Sequence, residues 1–157
     1  MSSQNEFVIP AENNGQFTLK IQSVFGFPDR TCYWGGYDTL SYVEVQTENY
    51  LAKGEIYIST GQIFEFFDQL HKCYKSLSGS AKLVSYEKNL ELNIVFDQLG
   101  HVKIAGYLRA KMSEENQLIF NLSGDQSYLS ETLSSLREIV NTYGDNFGNK
   151  QANEKIV

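Results

Sequence analysis

Two histidines and two cysteines are the residues of this chain with the greatest potential for metal chemistry. They are His71, His101, Cys32 and Cys73. Structural zinc sites use ligands in close pairs, such as two cysteines separated by two residues. His71 and Cys73 lie two residues apart in a segment with helical periodicity, so their side chains diverge, and His101 falls in a predicted turn. The sequence therefore predicts neither a metal site nor a bound cofactor.

Other catalytic patterns are also missing from the sequence. It contains no G-x-S-x-G motif for a nucleophilic serine and no glycine-rich phosphate loop. Two carboxylates, Glu44 and Glu55, are predicted to face each other across a hairpin, an arrangement in which like charges destabilise a sheet. We expect Lys53, on a diagonal position, to screen them, which leaves Glu55 as a contact residue. The sequence predicts a binding protein and no enzyme.

The most unusual string in the chain is YWGGYD at residues 33–38. It holds the only tryptophan, Trp34, and two tyrosines that flank a pair of glycines. Aromatic side chains on a loop are typical of recognition hot spots. They are equally typical of a loop that folds down over a sheet edge, with glycines that merely allow the turn. The sequence leaves both interpretations open.

Charge narrows the class of partner. The formal net charge is −6, and residues 1–60 contain seven acidic side chains against three basic ones. A protein that binds nucleic acid needs a basic surface, so nucleic acid is not an expected partner. An acidic surface can meet a basic protein, although it also serves solubility alone. The partner-binding residues that we predict are acidic or aromatic and lie in one loop and one hairpin: Trp34, Tyr37, Asp38, Tyr42, Glu44, Glu48, Glu55 and Tyr57.

The hydrophobic pattern predicts the elements that position these residues. Alternation with period two predicts strands over 17–25, 40–47 and 51–59, and then over 80–86, 90–96, 102–108 and 118–123. In the segment 80–86, either Leu83 or Val84 faces inward. Apolar residues at helical spacing predict one helix that is capped by Ser59 or Thr60 and stops at a left-handed Gly79. They predict a second helix that is capped by Asp125 or Ser127 and ends at Gly144. The predicted fold is α+β, an antiparallel sheet of about six to seven strands in the order βββαββββα, with two amphipathic helices packed on it.

A chain of 157 residues is expected to form a single domain. We expect an ordered core over about 17–143 and flexible segments at 1–15 and 145–157. The chain offers no signal peptide and no apolar stretch of membrane-spanning length, so no membrane association is expected. Two cysteines are too few for a disulfide framework and fit two reduced thiols in the cytoplasm.

Several of these strings, in this order, resemble the WapI-type bacterial immunity proteins. The resemblance covers about residues 17–143. The segments that carry it are YWGGYD at 33–38, GEIYISTGQIFEFFDQLHKCYKSLSGSAKL at 54–83, SYEKNLELNIVFDQLGHVKIAGYL at 85–108 and GDQSYLSETLSSLREIV at 124–140.

The resemblance implies an antitoxin. Such proteins bind the C-terminal domain of a cognate toxin of the Wap or Rhs type, often a nuclease, in the cytoplasm, and they need neither catalysis nor a cofactor. The family supplies no catalytic residues to carry over. A small-ligand module, with a pocket between the sheet and the first helix, is the alternative prediction, and a hydrolase is a weaker one. The identity of the toxin, the oligomeric state and the reactivity of Cys32 and Cys73 are left open by the sequence.

Overall fold

The computed structural model of the protein describes residues 5–97, 99–111, 113 and 115–149. The elements in chain order are β1 (Glu6–Pro10), β2 (Gln16–Phe25), β3 (Asp38–Gln46), β4 (Leu51–Ser59), α1 (Thr60–Ser76), β5 (Gly79–Val84), β6 (Leu90–Phe96), β7 (His101–Leu108), β8 (Leu118–Asp125), a 3₁₀ turn η1 (Gln126–Tyr128) and α2 (Leu129–Tyr143). Neither helix is long and apolar enough to cross a membrane, as far as the described residues go.

The strands form two four-stranded antiparallel sheets, β1–β2–β3–β4 and β5–β6–β7–β8. The α+β class and the antiparallel pairing are therefore as predicted, whereas the prediction of one sheet with six to seven strands is wrong. The physical reason is that each sheet has one apolar face, and the two apolar faces can cover each other. The ring of Phe17 on β2 lies 6.4 Å from that of Phe120 on β8, measured between centroids.

The additional strand is β1, in a segment for which the sequence predicted no regular structure. Phe7 and Ile9 are fully buried and alternate with less buried neighbours. The strand pairs with β2, with Phe7 opposite Leu19 and Ile9 opposite Phe17. Five residues give too short an alternation to stand out in a polar segment, so the sequence pattern missed β1.

The two helices lie between the outer strands of the two sheets. α1 packs against β5, α2 packs against β1, and the helices pack against each other. The Phe66 ring of α1 lies 5.9 Å from the Phe7 ring of β1, and Thr132 of α2 donates a hydrogen bond to the Val8 carbonyl (2.6 Å). The buried side chains of both sheets and both helices form one hydrophobic cluster.

The helix ends partly match their sequence signals. Ser59 caps α1 in a capping box with Gln62, as the sequence allowed. The left-handed residue after α1 is Leu77 (φ 56°), and not Gly79, which begins β5. Asp125 accepts a hydrogen bond from the Ser127 N–H and so caps η1, after which α2 begins without a side-chain cap. Gly144 follows the last residue of α2, as predicted.

The sequence allows either Leu83 or Val84 to point toward the core from β5. Leu83 is buried, while Val84 is only partly buried. Leu83 is thus the residue that faces the core.

Candidate partner-binding surface

The loop between β2 and β3 is fixed to the first turn of α1 by backbone hydrogen bonds. The Gly61 N–H donates to the Gly35 carbonyl (3.2 Å), and the Thr60 N–H donates to the Tyr37 carbonyl (2.8 Å). The Tyr37 N–H in turn donates to the Thr60 side chain (2.8 Å). The loop motif YWGGYD and the S-T-G turn, which are separate in the sequence, therefore form one structural unit.

Glycine is required on both sides of this contact. Gly36 has a left-handed backbone (φ +65°), and a Cβ on it would clash with the Thr60 hydroxyl. A Cβ on Gly61 would lie 2.5 Å from the carbonyl carbon and oxygen of Gly35. The loop can approach the helix this closely only because neither residue has a side chain.

The segment after α2 supports the same loop. The Gly36 N–H donates to the Asn146 carbonyl (2.6 Å), and the Asn146 side chain donates to the Glu65 carboxylate of α1 (2.7 Å). These bonds hold residues 145–149 against the loop. Residues 1–4 and 150–157 lie outside the described residues.

Two aromatic side chains of the loop face solvent. Tyr33 is 94% exposed and Trp34 is 50% exposed. The Trp34 indole is stacked on the ring of Tyr86, with centroids 4.9 Å apart and an interplanar angle of 21°, and Tyr33 meets it edge-on. One face of the indole is therefore covered by Tyr86, while the remaining half of the side chain is exposed to solvent. The loop thus combines both interpretations of the sequence, an aromatic side chain exposed for recognition and an aromatic loop packed on the rest of the protein.

Tyr86 is held by a hydrogen bond to a predicted site residue. Its hydroxyl donates to Asp38 Oδ1 (2.5 Å) and lies 3.7 Å from the sulfur of Cys32. Burial, followed by the bond to Asp38, raises the pKa of Tyr86, so the hydroxyl stays protonated and keeps donating. Sequence reasoning missed Tyr86 as a partner of Trp34, because the two residues are far apart along the chain and no local pattern connects them.

The two cysteines are not activated nucleophiles. Burial raises the pKa of the Cys32 thiol and that of the Cys73 thiol above the ordinary value. The thiolate is the reactive form, so a raised pKa makes a thiol less reactive near neutral pH. Both are free cysteines, Cys32 partly buried and Cys73 buried.

Tyr37 occupies a different position from the one predicted. It is only 4% exposed, packs edge-on against Phe27 (centroids 5.1 Å apart) and donates to the Pro28 carbonyl (3.3 Å). Tyr37 belongs to the core beneath the loop, so its prediction as a surface anchor is wrong.

The strand register places the predicted carboxylates differently as well. Glu44 lies opposite Lys53, and Glu55 lies opposite Tyr42. The prediction that Glu44 and Glu55 oppose each other is therefore wrong: the β3–β4 pairing is offset from the assumed one by two residues. A basic side chain sits directly across from Glu44, which removes the like-charge repulsion.

Three predicted residues do come together in one groove. Tyr42, Glu55 and Tyr57 line an open groove of about 480 Å³ on the outer face of β3 and β4. The remaining residues that line it are of mixed charge and include two lysines: Lys53, Gly54, Glu87, Asn89, Ala110 and Lys111. This groove has no excess of acidic side chains.

Glu48 belongs to another part of the surface. It is exposed in the β3–β4 turn, whereas Asp38 begins β3 at the other end of the strand. A nine-residue strand is roughly 25 to 30 Å long. The predicted residues therefore do not form one site: Trp34 lies in the loop, Tyr42, Glu55 and Tyr57 line the groove, and Glu48 lies at the turn.

In the described part of the chain, no three His, Cys, Asp or Glu side chains are grouped so that they could hold a metal ion. Four grooves in this part of the structure are lined by residues of strands and loops.

Comparison with known proteins gives one family. The family described as "Immunity protein WapI-like family" matches residues 8–144, from β1 to the end of α2. Neither a curated protein nor a solved structure matches the chain. The family match confirms the resemblance found in the sequence and covers both sheets, both helices and the loop that carries Trp34. The chain belongs to the WapI-like family of immunity proteins.

Proposed function

We propose that this protein neutralises a cognate polymorphic toxin domain by binding to it, in the cytoplasm of the cell that makes both. Membership of an immunity protein family supports the general role. The observation that carries the proposal is the half-exposed Trp34, which is stacked on Tyr86 in a loop fixed to α1. The protein acts by occupying a surface of the toxin, without catalysis of its own.

The fixed loop makes Trp34 a suitable anchor. Binding normally costs free energy because flexible side chains and loops lose freedom in the complex. Here the indole is already oriented by Tyr86, and the loop by Gly35 and Gly61. Tryptophan is also among the residues that contribute most to interfaces. Tyr33 beside it extends the aromatic surface.

The toxin that we propose is a nuclease. Nucleases need basic surfaces for their polyanionic substrate, and the net charge of this protein is −6. An acidic protein can compete for such a surface, and opposite charges accelerate the encounter. Exposed acidic residues such as Glu12 and Glu48 support the idea.

The alternative of a ligand pocket between a sheet and α1 is not retained. The side chains on that face of α1, Ile63, Phe66, Phe67 and Leu70, are fully buried in the core cluster. They pack directly on the strands, as the contact between Phe66 and Phe7 shows.

Truncation of Trp34 tests the proposal. We expect Trp34→Ala to weaken binding of the catalytically inactive C-terminal domain of the toxin encoded beside this gene by at least about tenfold, because a central aromatic anchor contributes 2 kcal/mol or more. Isothermal titration calorimetry measures the affinity, and co-expression with the active toxin measures protection. Tyr128→Ala is the matched control, since Tyr128 is an exposed aromatic residue outside the loop.

The two measurements test the proposed function and the proposed binding surface separately. If the unaltered protein neither binds the toxin domain nor protects cells from it, the proposed function is wrong. Should Trp34→Ala bind as tightly as the unaltered protein, the loop is not the anchor.

A further inference from the structure

β8 is an outer strand with one unpaired side. It pairs with β7 and ends the second sheet. The Ser123 carbonyl accepts a hydrogen bond from the Glu12 N–H (2.8 Å), in the turn between β1 and β2, so the backbone groups of Ser123 point away from β7. Backbone direction alternates along an antiparallel strand. The N–H and C=O groups of Ile119 and Asn121 therefore point to the same free side.

The other outer strands are covered in the described part of the structure. α2 lies on β1, where Thr132 donates to the Val8 carbonyl. Along β4, the Tyr86 N–H donates to the Tyr57 carbonyl. α1 covers β5, and its Gln69 side chain accepts from the Lys82 N–H. β8 before Ser123 has no such cover among the described residues.

The sequence of β8 also lacks the features that usually protect an outer strand. Proteins place lysine, proline or inward-facing charges on such strands to prevent pairing with other chains. β8 reads LIFNLSGD, with no proline and no charge before Asp125. Ile119 is 74% exposed on it. This strand is therefore suited to accept another strand.

An acidic groove adjoins the far end of this free side. Asn121 and Ser123 line a groove of about 310 Å³ together with Glu12 and Glu48, which come from the two hairpin turns of the first sheet. The other lining residues carry no charge: Asn13, Thr47, Asn49, Tyr50 and Leu122. A strand that pairs with β8 and runs toward Ser123 would bring its end into this groove. Both charged side chains that line this groove are acidic, while Lys103 lies opposite Ser123 in the neighbouring groove.

We infer that β8 accepts an extended basic segment of the toxin domain as an additional strand. This inference rests on the proposed function and names the partner's chemistry: backbone groups that pair with Ile119 and Asn121, an apolar side chain on Ile119, and a lysine or arginine toward Glu12 and Glu48. Addition of a strand to a sheet edge is an established mode of peptide recognition, in which main-chain bonds supply affinity. Glu48, predicted from the sequence as a contact residue, has its role here.

Replacement of Asn121 by proline tests the backbone pairing. Proline removes only the N–H that points away from β7, and outer strands tolerate it at such positions. We expect Asn121→Pro to weaken binding of the inactive toxin C-terminal domain by at least about tenfold, and the matched Asn121→Ala to stay within about twofold, because only the former changes the backbone. Calorimetry measures both affinities, and thermal unfolding checks that both variants fold.

Hydrogen exchange gives a second readout that needs no variant. In the complex of the unaltered protein, exchange of the Ile119 and Asn121 amides should slow by at least about tenfold, because exposed amides become hydrogen-bonded. The double variant Glu12→Lys, Glu48→Lys should weaken binding through repulsion of the basic segment.

The results distinguish this inference from the proposed function. If the unaltered protein binds the toxin domain while both amides exchange as in the free protein, the strand-addition site is wrong and the proposed function stands. If the toxin domain is not bound at all, the proposed function is wrong, and this inference with it. A dimer of this protein that Asn121→Pro abolishes would assign the free side of β8 to a second copy and overturn the inference.

Discussion

At the scale of single residues, Gly36 and Gly61 determine how closely the aromatic loop lies on α1. A Cβ on Gly61 would overlap the Gly35 carbonyl group, which is backbone and cannot rotate away. Glycine inside a helix normally lowers stability by about 1 kcal/mol relative to alanine. Its presence in the first turn of α1 is explained by the loop contact, which outweighs that loss.

Gly61→Ala should therefore destabilise the protein, against the usual preference of helices for alanine. We expect a loss of about 1 to 3 kcal/mol in the free energy of unfolding, because the added methyl forces the loop and the helix apart. Urea unfolding measures it. Gly124→Ala is the control, since the nearest atoms there are 3.6 Å from the added Cβ, and it should be neutral or slightly stabilising. A Gly61→Ala variant as stable as the unaltered protein would contradict the close contact.

At the scale of elements, the start of α1 joins the loop that carries Trp34 to both sheets. The Ser59 side chain accepts a hydrogen bond from the Gln62 N–H (3.0 Å) and donates one to the Trp34 carbonyl (3.3 Å). The Gln62 side chain accepts from the Ser59 N–H and donates to the Val84 carbonyl of β5. One helix cap thus connects the loop, the first sheet and the second sheet.

Ser59→Ala should weaken this connection. Loss of a cap residue costs about 1 to 2 kcal/mol, and here a buried hydroxyl with two bonds is removed. The midpoint of thermal unfolding should fall accordingly. Ser130→Ala, on the exposed side of the first turn of α2, is expected to leave the midpoint nearly unchanged. Equal midpoints for the two variants would show that the cap contributes little.

At the scale of the whole molecule, charge governs the encounter with a partner more than the final affinity. The net charge is −6, yet the outer face of β3 and β4 mixes both signs, with Glu44 opposite Lys53 and a groove that holds two lysines. The groove beside β8 is lined by Glu12 and Glu48 and by no basic residue. A basic partner would be attracted to the protein from a distance and oriented by the groove that Glu12 and Glu48 line.

The association rate with the toxin domain should therefore depend on salt. Between about 0.05 and 0.5 M sodium chloride we expect the association rate constant to fall by at least about tenfold and the dissociation rate constant to change little, because screening acts on the encounter. Stopped-flow fluorescence measures both. The variant Glu12→Gln, Glu48→Gln should show a weaker salt dependence; a rate that is independent of salt would exclude electrostatic steering.

Much of the fold could be predicted from local pattern. The alternation of β3, β4 and β6 to β8 and the apolar stripes of both helices follow from side-chain burial on one face, which repeats at a fixed period. β4 was predicted with its observed bounds. β1 was missed because a five-residue alternation is too short, and the left-handed stop of α1 fell on Leu77 because backbone strain at a leucine leaves no signal in the sequence.

Less of the candidate site could be predicted from the sequence. Composition alone identified Trp34 as unusual, and the motif order identified the family. Whether an aromatic residue of the loop faces solvent depends on its contacts with other segments. Tyr37 packs edge-on against Phe27, and Trp34 is stacked on Tyr86. The β3–β4 register, which decides the neighbour of Glu44, depends on pairing across strands.

By itself, the sequence determined the α+β class, the succession of elements from β2 to α2 and the family, because these follow from the order of residues along the chain. Only the tertiary structure decided that the strands split into two sheets and that β8 lies at the edge of the second one. The packing of one apolar face on another and the cover of a strand by a helix both join residues far apart in the chain. No local period encodes such contacts, so they are settled by how the elements fit together in space.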